Sequence, residues 1–475
     1  MDKNNPELKA PISEATKELF ETGKIVGEYA QRLFPDGVHT NFNHGNIEQG
    51  ILVTQRLISE RKTIFEAAFL YDECLTVIDI LDYTENGWNA YEVKSTTKIK
   101  DEHKVDASYQ YYVIMKSGLK LNDFSMIRLN NQYSRNGEID LRELFVAESA
   151  LADICGQQDF VASEIIKFKN SLNSTTCPTR TIGRHCEEPH KCDYKSHCWS
   201  GIPEDSVFDI SRLTEEKKIS FYSRGIIKAK DVPEDGLTAT QKIHVNSAKL
   251  NRDYINKEEI RSFLSGLVYP LYFLDFESIK SAIPLFDKTK PHQQITFQYS
   301  LHIQSSKNSE TQHSEFLSEH RNDPREDFIT KLILELGTSG SIVVYNLAFE
   351  KTRLNEIAKD FPSFKQNIDG LISRLVDLVI PFRGKHFYKP AMKGSYSIKD
   401  VLPAMVPTMS YQNLAVNNGT AASNSFLKFI KDGLPTEQYI EFRKNLLEYC
   451  KLDTFAMVKI LEVLYEEFDK ANLTT

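Results

Sequence analysis

The stretch LTVIDILDYTENGWNAYEVKS (Leu75–Ser95) sets two apolar, alternating runs on either side of Asn86-Gly87. That dipeptide favours a two-residue type I′ turn, so the stretch reads as a β-hairpin. With Asn86 and Gly87 as the loop, Glu85 faces Trp88, Leu81 faces Glu92, and Asp79 faces Lys94. Side chains alternate across a strand, so Asp79, Glu92 and Lys94 project from one face, while Asp82, facing Tyr91, points the other way. Two carboxylates and an ammonium on one sheet face suit metal-assisted phosphodiester hydrolysis. The carboxylates hold Mg²⁺ or Mn²⁺ through hard oxygen ligands, the ion activates a bound water, and the lysine orients the nucleophile or meets developing negative charge. An exposed hairpin with a surface ion pair offers the same residue types.

Outward from the hairpin, the first ~165 residues mix helical and strand patterns in the manner of an α/β domain. Apolar residues recur at helical spacing from Glu14 to Leu33; Phe65 to Tyr83 and Trp88 to Val93 read as strands, and Ala107 to Met115 as a helix. Residues 205–265 are charged and mostly helical, with a break at VPEDG (Val232–Gly236). The pattern restarts at Tyr269 with an apolar strand and continues to a long helix near Pro435 to Ala471. The chain of 475 residues is 41% hydrophobic and 26% charged, which excludes a disordered or low-complexity protein. Its formal net charge of −8 argues against a nonspecific polybasic binder while leaving room for a local basic channel. No apolar run approaches the ~20 residues that span a bilayer, and the polar start MDKNNPELKAP has no apolar segment of a secretory signal. The expectation is a cytoplasmic protein.

Asp79, followed by Glu92-Val93-Lys94, resembles the core of a PD-(D/E)XK nuclease. The helix DASYQYYVI resembles the glutamine-bearing helix of the RecB-like branch, which makes Gln110 a further site candidate. The resemblance covers roughly the first 200 residues. RecB-like enzymes also carry a ligand on an early helix, for which Glu28, His44 and Glu48 are the available residues.

CPTRTIGRHCEEPHKCDYKSHCW holds Cys177, Cys186, Cys192 and Cys198, four of the seven cysteines. Four thiols so close in a chain without an export signal point to metal ligation, by zinc or by an iron–sulfur cluster. The C-x₂₋₄-C pair of short zinc knuckles is missing. RecB-like nucleases place a cysteine triplet just after the nuclease core, where it binds a [4Fe–4S] cluster, and that resemblance favours a cluster here, with zinc as the alternative. Cys74 and Cys155 are substitutes for the fourth ligand.

LYFLDFES (Leu271–Ser278) opens as a buried strand yet carries Asp275 and Glu277 two residues apart, hence on one face. Unpaired buried charge is costly, and a metal resolves the cost. VVYNLAFEKTRLNEIA supplies Asn346 and Glu350, and EYCKLDTFAMVKIL is a helix with Tyr449 and Asp453 one turn apart. These segments resemble the three motifs of the DEDD family of 3′–5′ exonucleases in its tyrosine subtype, Glu350 standing where that family usually has aspartate. The resemblance spans most of Tyr269 to Leu464. It implies a ribonuclease-H-like fold and two-metal hydrolysis, with Asp275, Glu277, Glu350 and Asp453 as ligands and Tyr449 orienting the attacking water. Between the second and third motifs, PFRGKHFYKPAMKGSYSIKD interleaves basic and aromatic residues, a composition suited to a single nucleic-acid strand or to a solvated loop.

The combined expectation is an α/β protein of four parts. These are a PD-(D/E)XK nuclease-like domain over residues 1–165, a cysteine cluster over 166–204, a helical connector over 205–265 and a ribonuclease-H-like DEDD domain over 266–475. The architecture is similar to a bacterial family of unknown function. The expected activity is metal-dependent hydrolysis of nucleic acid, DNA before RNA, at ends or in single strands. The alternatives are a nucleic-acid-binding scaffold with decayed sites and an RNA-processing exonuclease.

Overall fold

Side-chain phase along the strands decides which residues face a core and which face a site. A computed structural model describes residues 5–174, 181–411, 414, 416 and 418–472. The fold is mixed α/β, in two compact units: Met1–Thr181 with Ser281–Gln293, and Ile182–Lys280 with Gln294–Thr475. Among the described residues no helix is long and apolar enough to cross a membrane.

The first unit is built on a six-stranded sheet in sequential order: β1 (Val38–His39), β2 (Ile64–Tyr71), β3 (Cys74–Thr84), β4 (Gly87–Lys94), β5 (Leu121–Leu129) and β6 (Phe145–Ser149). Strands β2, β3 and β4 are antiparallel, whereas β5 runs parallel to β4. Parallel neighbours need a crossover, and here it contains the helix Asp101–Lys116. The helix Glu14–Gln31 starts where the Ser13 side chain accepts from the Thr16 backbone N–H, satisfying one of the donors a helix start leaves open. These helices, α1 (Glu14–Gln31) and, passing over α2 (Ile47–Ser59), α3 (Asp101–Lys116), join different apolar clusters. Val26 and Ala30 of α1 pack with Phe65, Ile80, Ile127 and Leu129. Ala107, Val113 and Ile114 of α3 pack with Ile64, Ile78, Leu81, Ala90 and Phe124.

The expected hairpin is present with a different turn. Thr84 pairs with Gly87, Tyr83 with Trp88, Asp82 with Asn89, and Leu81 with Ala90, so Glu85 and Asn86 form the loop. Glu85 therefore does not face Trp88, nor Leu81 Glu92, nor Asp82 Tyr91. A type I′ turn needs positive φ at both loop residues. Here only Gly87 has it, at 115°, as in a turn closed by a glycine bulge. The pairing is displaced by two residues, and because strand side chains repeat every two, Glu92 and Lys94 keep the expected face. The stretch from Phe65 to Tyr83 is two strands, broken at Asp72 and Glu73, both left-handed. The helix expected from Ala107 begins earlier, at Asp101.

The second unit carries a five-stranded sheet ordered β10-β9-β8-β11-β12 and a two-stranded pairing of β7 (Tyr254–Ile255) with β13 (Phe387–Tyr388). In the larger sheet, β8 (Leu271–Lys280), β9 (Gln294–Gln304) and β10 (Thr311–Leu317) are antiparallel, and β11 (Ser341–Val344) and β12 (Leu375–Asp377) continue parallel to β8. Leu274 and Phe276 of β8 enter a core with Phe328 and Leu332 of the helix Arg325–Leu336 and with Leu354 and Ile357 of the helix Ala348–Asp360. Alternation then turns Asp275 and Glu277 to the opposite face. The long helix Thr436–Asn472 covers that side, and Phe426 of the helix Gly419–Asp432 stacks on Phe297 of β9 with ring centroids 4.0 Å apart.

Two features depart from the expected four-part division. Residues from Ile182 through the helical stretch belong to the second unit, where Val207, Ile210, Leu213, Phe221 and Val245 form an apolar cluster and β7 pairs with β13. Conversely, Ser281–Gln293, the connection between β8 and β9, belongs to the first unit. Its Ala282 and Ile283 pack in the α1 cluster. The Arg135 guanidinium donates to the carbonyls of Pro284 and Leu285 at 3.1 and 2.7 Å.

Candidate active sites

In the first unit, Asp79, Glu92, Lys94 and Gln110 are delivered by β3, β4 and α3. The Asp79 carboxylate accepts the Val93 backbone N–H at 2.6 Å. The Lys94 ammonium donates to Glu92 Oε1 at 2.8 Å and to Asp106 Oδ2 at 2.6 Å. Burial lifts the carboxyls of Asp79 and Glu92 to about 7 and about 8, their mutual neighbourhood of acids adding to it. Burial works against the charge on Lys94, but Glu92 and Asp106 outweigh it and push its pKa up, so it is held as an ammonium. Glu92 and Gln110 are buried, and Glu92 Oε2 and Gln110 Oε1 have no hydrogen-bond partner. Buried acceptors of this kind call for a donor or a cation. The three residues available as an early-helix ligand, Glu28, His44 and Glu48, are exposed, and none joins a ligand group with these acids. Sequence reasoning missed Asp106 and Glu66, although Asp106 stands one turn before Gln110 on α3, a legible helical spacing.

In the second unit, one ligand oxygen from each of Asp275, Glu277 and Asp453 comes within 4.8 Å of the others, the only such group among the described residues. Strand β8 supplies two of them, and the long C-terminal helix supplies Asp453 with Tyr449. Glu350, in the first turn of Ala348–Asp360, is 1% exposed, and its Oε2 is unpartnered. Burial pushes every one of these acids up: Asp275 well above the carboxylate range, Glu277 and Glu350 to about 8, and Asp453 to about 6. The neighbouring negative charges add to the rise at Asp275 and Glu277. At Asp453 hydrogen bonds from Tyr411 and Tyr449 and the charge of Lys399 pull the other way. Asn346 contributes its backbone N–H to Asp377 Oδ1 at 3.0 Å, with φ of 72°, which makes it a residue that shapes the strand-to-helix turn before Glu350.

Three neighbours lie outside the expected set of site residues. The Tyr411 hydroxyl donates to Asp453 Oδ1 at 2.7 Å. The Lys399 ammonium lies 5.5 and 5.7 Å from the ring centroids of Tyr411 and Tyr449, within cation–π range. The buried thiol of Cys450 lies 3.6 Å from Asp275 Oδ2. No motif spacing ties Lys399 or Tyr411 to the acids; only the fold brings them there. The basic and aromatic segment behaves differently from its composition. Lys385, Phe387 and Tyr388 are buried, Lys389 pairs with Asp253, and Lys393 pairs with Glu204, while Tyr396 stays exposed.

Of the cysteine ligand candidates, Cys177 lies outside the described residues. Cys186 is buried and Cys192 and Cys198 are exposed, and the Cys192 N–H donates to the Cys186 carbonyl at 2.9 Å. These three do not gather as a ligand group within 4.8 Å, and the substitutes Cys74 and Cys155 belong to the first unit. The described thiols thus do not form the close tetrahedral site that zinc requires.

Fold and sites together define an α/β protein with a buried acidic centre in each of two units. Residues 272–397 match a family described as a domain of unknown function, DUF2779. That match takes in Asp275, Glu277 and Glu350 and ends before Lys399, Tyr411, Tyr449 and Asp453. An uncharacterized protein MG366 homolog of Mycoplasma pneumoniae is 32% identical over 215 residues, 41% of this chain and 32% of the relative. Uncharacterized protein UU173 of Ureaplasma parvum is 28% identical over 253 residues, 48% of this chain and 36% of the relative. The chain thus spans about a third of the length of the curated relatives it matches. No solved structure matches.

Proposed function

We propose that this chain is a metal-dependent nuclease hydrolysing phosphodiester bonds of DNA, at ends or in single strands. The first unit would hold a PD-(D/E)XK-type site and the second a DEDD-type site of the tyrosine subtype. The observation that carries the reading is the convergence of Asp275, Glu277 and Asp453. Three acids buried together, each with its proton held too tightly, cost folding energy that a polar residue chosen for packing would not impose. The strand orders agree with both assignments: β-strands in antiparallel succession followed by a helical crossover to a parallel strand in the first unit, and an antiparallel trio extended by two parallel strands in the second.

The donor sets fit a hard divalent cation, since all are carboxylate oxygens and Glu92 Oε2 and Glu350 Oε2 have no partner. Asp275, Glu277, Asp453 and Glu350 would hold the ion or ions of the second site, Asp79 and Glu92 that of the first. Mg²⁺ or Mn²⁺, when bound, supplies the charge that acidifies a water and polarises a phosphate. The chain's own groups do the rest. Tyr411 fixes Asp453 Oδ1 and so the orientation of that carboxylate. Tyr449 directs its hydroxyl to the acids and orients the attacking water. Lys399 and, in the first unit, Lys94 place positive charge where the phosphate's negative charge grows.

The test is incubation of the full chain with labelled single- and double-stranded DNA and RNA in Mg²⁺, Mn²⁺ or EDTA, alongside Asp79→Ala and Asp275→Ala. Metal-dependent cleavage that each variant removes in part supports two sites. No cleavage of any substrate would return the protein to the scaffold reading, and cleavage of RNA alone would reassign its substrate.

Tyr449→Phe is expected to slow the second-site reaction by roughly 10²-fold, the scale of a lost orienting or acid–base group, while Mn²⁺ affinity measured by calorimetry is unchanged. A parallel loss of Mn²⁺ affinity would make Tyr449 a prop for the ligands instead. The cysteine segment is kept in the proposal as an iron–sulfur site separate from hydrolysis. Anaerobically purified protein should then be brown, with iron and sulfide in fixed ratio. Stoichiometric zinc, or no metal, would remove the cluster from the proposal.

A further inference from the structure

Strand β9 reads QITFQYSLHIQ, in which Thr296, Gln298, Ser300, His302 and Gln304 alternate with apolar residues. Such alternation ordinarily sets a wet face of a sheet against a dry one. Here both faces are dry, since each of those five polar residues is at most 6% exposed. Tyr299 and Leu301 turn to the core that holds Leu274 and Phe276. Gln298, Ser300 and His302 therefore take the other face, the one under the long helix Thr436–Asn472. Strand pairing sets two of them beside the acids. Gln298 pairs with Glu277 and Ser300 with Asp275, and paired residues share a face.

An apolar strand would pack under this helix without desolvating any polar group. What the polar groups add is direction. The Gln298 amide donates to the Leu446 carbonyl at 2.8 Å. The Ser300 hydroxyl lies 2.7 Å from the Thr454 hydroxyl, and His302 Nδ1 lies 2.9 Å from the same Thr454 oxygen. His313 of β10, paired with His302, reaches the Ser300 hydroxyl through Nε2 at 3.0 Å. Burial lowers both imidazoles, to about 3 and about 4, so they act as neutral hydrogen-bonding groups. Along the helix, Leu446 stands three residues before Tyr449, and Thr454 directly follows Asp453. The two attachments thus bracket the turn that carries both site residues. Apolar contact is non-directional, whereas a satisfied buried polar network specifies a single arrangement.

Resting on the DEDD-type reading of the second site, we infer that Gln298, Ser300 and Thr454 are its positioning residues. Their hydrogen bonds hold the long helix in the register at which Asp453 and Tyr449 meet Asp275 and Glu277.

The test uses the full chain carrying Asp79→Asn, so that hydrolysis of labelled single-stranded DNA in Mn²⁺ reports on the second site. Thr454→Val removes the contact from the helix at nearly constant shape. Ser300→Ala removes it from the strand and leaves the Thr454 hydroxyl its partner within the helix, the Lys451 carbonyl at 3.1 Å. Each is expected to lower kcat by between about tenfold and 10²-fold, the latter being the scale of a displacement on the order of 1 Å at a reacting group, with KM near the parent's. Because both changes break one contact, the double variant is expected to lose no more than the worse single one. Thr454→Ser keeps the hydroxyl and is expected to keep the parent's turnover. Should either variant fail to fold, Gln298→Met cuts the attachment at Leu446 and carries the same expectation for kcat and KM. Undiminished turnover in the folded variants, while Asp275→Asn abolishes it, overturns the positioning role and leaves the nuclease reading standing. Losses that multiply in the double variant, or that Thr454→Ser shares with Thr454→Val, overturn it equally. A parent no more active than Asp275→Asn overturns both.

Discussion

Asp275→Asn is expected to lower second-site hydrolysis by about 10³-fold or more, the scale seen when a group stabilising transition-state charge is removed from a dry site, and to raise the melting temperature of metal-free protein. The two effects have one cause. Asp275 is pressed by burial and by the charges of Asp453, Glu277 and Glu350, with the Cys450 thiol giving it a long contact. A neutral amide of the same shape removes that repulsion and also removes the ligand on which the acids converge. Nuclease assays and thermal melts in EDTA check it together. Lost activity with a lowered melting temperature would indicate that Asp275 is a packing residue whose replacement damages β8. Undiminished activity would remove it from the site.

Metal-free protein is expected to lose stability as pH rises from about 5.5 to 8, with added Mn²⁺ restoring most at the upper end. Asp453, Glu277 and Glu350 have folded pKa values of about 6, 8 and 8, above ordinary carboxylate values of 3.8 and 4.5. The folded chain therefore holds these protons more tightly than the unfolded chain. Their favourable contribution is complete below the unfolded values and disappears as pH climbs through the folded ones. Asp79 and Glu92, at about 7 and 8, act in the same direction in the first unit. A cation replaces the missing protons, so its stabilising effect grows over the same interval. Melting temperatures across that range, with EDTA and with Mn²⁺, should diverge by several degrees at the alkaline end, at about 2–4 °C per kcal/mol for units of this size. Parallel curves would mean that the acids do not bind the ion.

The acids were legible because strands and helices have fixed periods. Glu92 and Lys94 kept their face despite a turn displaced by two residues, since that displacement preserves phase. Tyr449 and Asp453 share a helix, and Asp275 and Glu277 a strand, so each pair needed only local regularity. Glu66 was hidden for the converse reason: its left-handed angle breaks the period that a reader of sequence must assume. Tyr411 reaches Asp453 from a segment outside any regular element, and no periodicity predicts that. In the basic and aromatic run, composition did not reveal which residues are buried. Lys385 is 1% exposed, its ammonium lying over the Tyr388 ring at 4.2 Å and donating to the Gly394 carbonyl.

The Ser281–Gln293 connection has a genetic consequence. The first unit is discontinuous: the polypeptide leaves it at Thr181, returns through Ser281–Gln293, and leaves again. A gene fragment ending at Thr181 omits Ala282 and Ile283 from the α1 cluster and leaves the Arg135 guanidinium without the carbonyls of Pro284 and Leu285. A single recombination event at the boundary can therefore neither donate the first unit whole nor delete it cleanly. A fragment that encodes the whole of the first unit must also encode Ile182–Lys280, and with it Asp275 and Glu277 of the second.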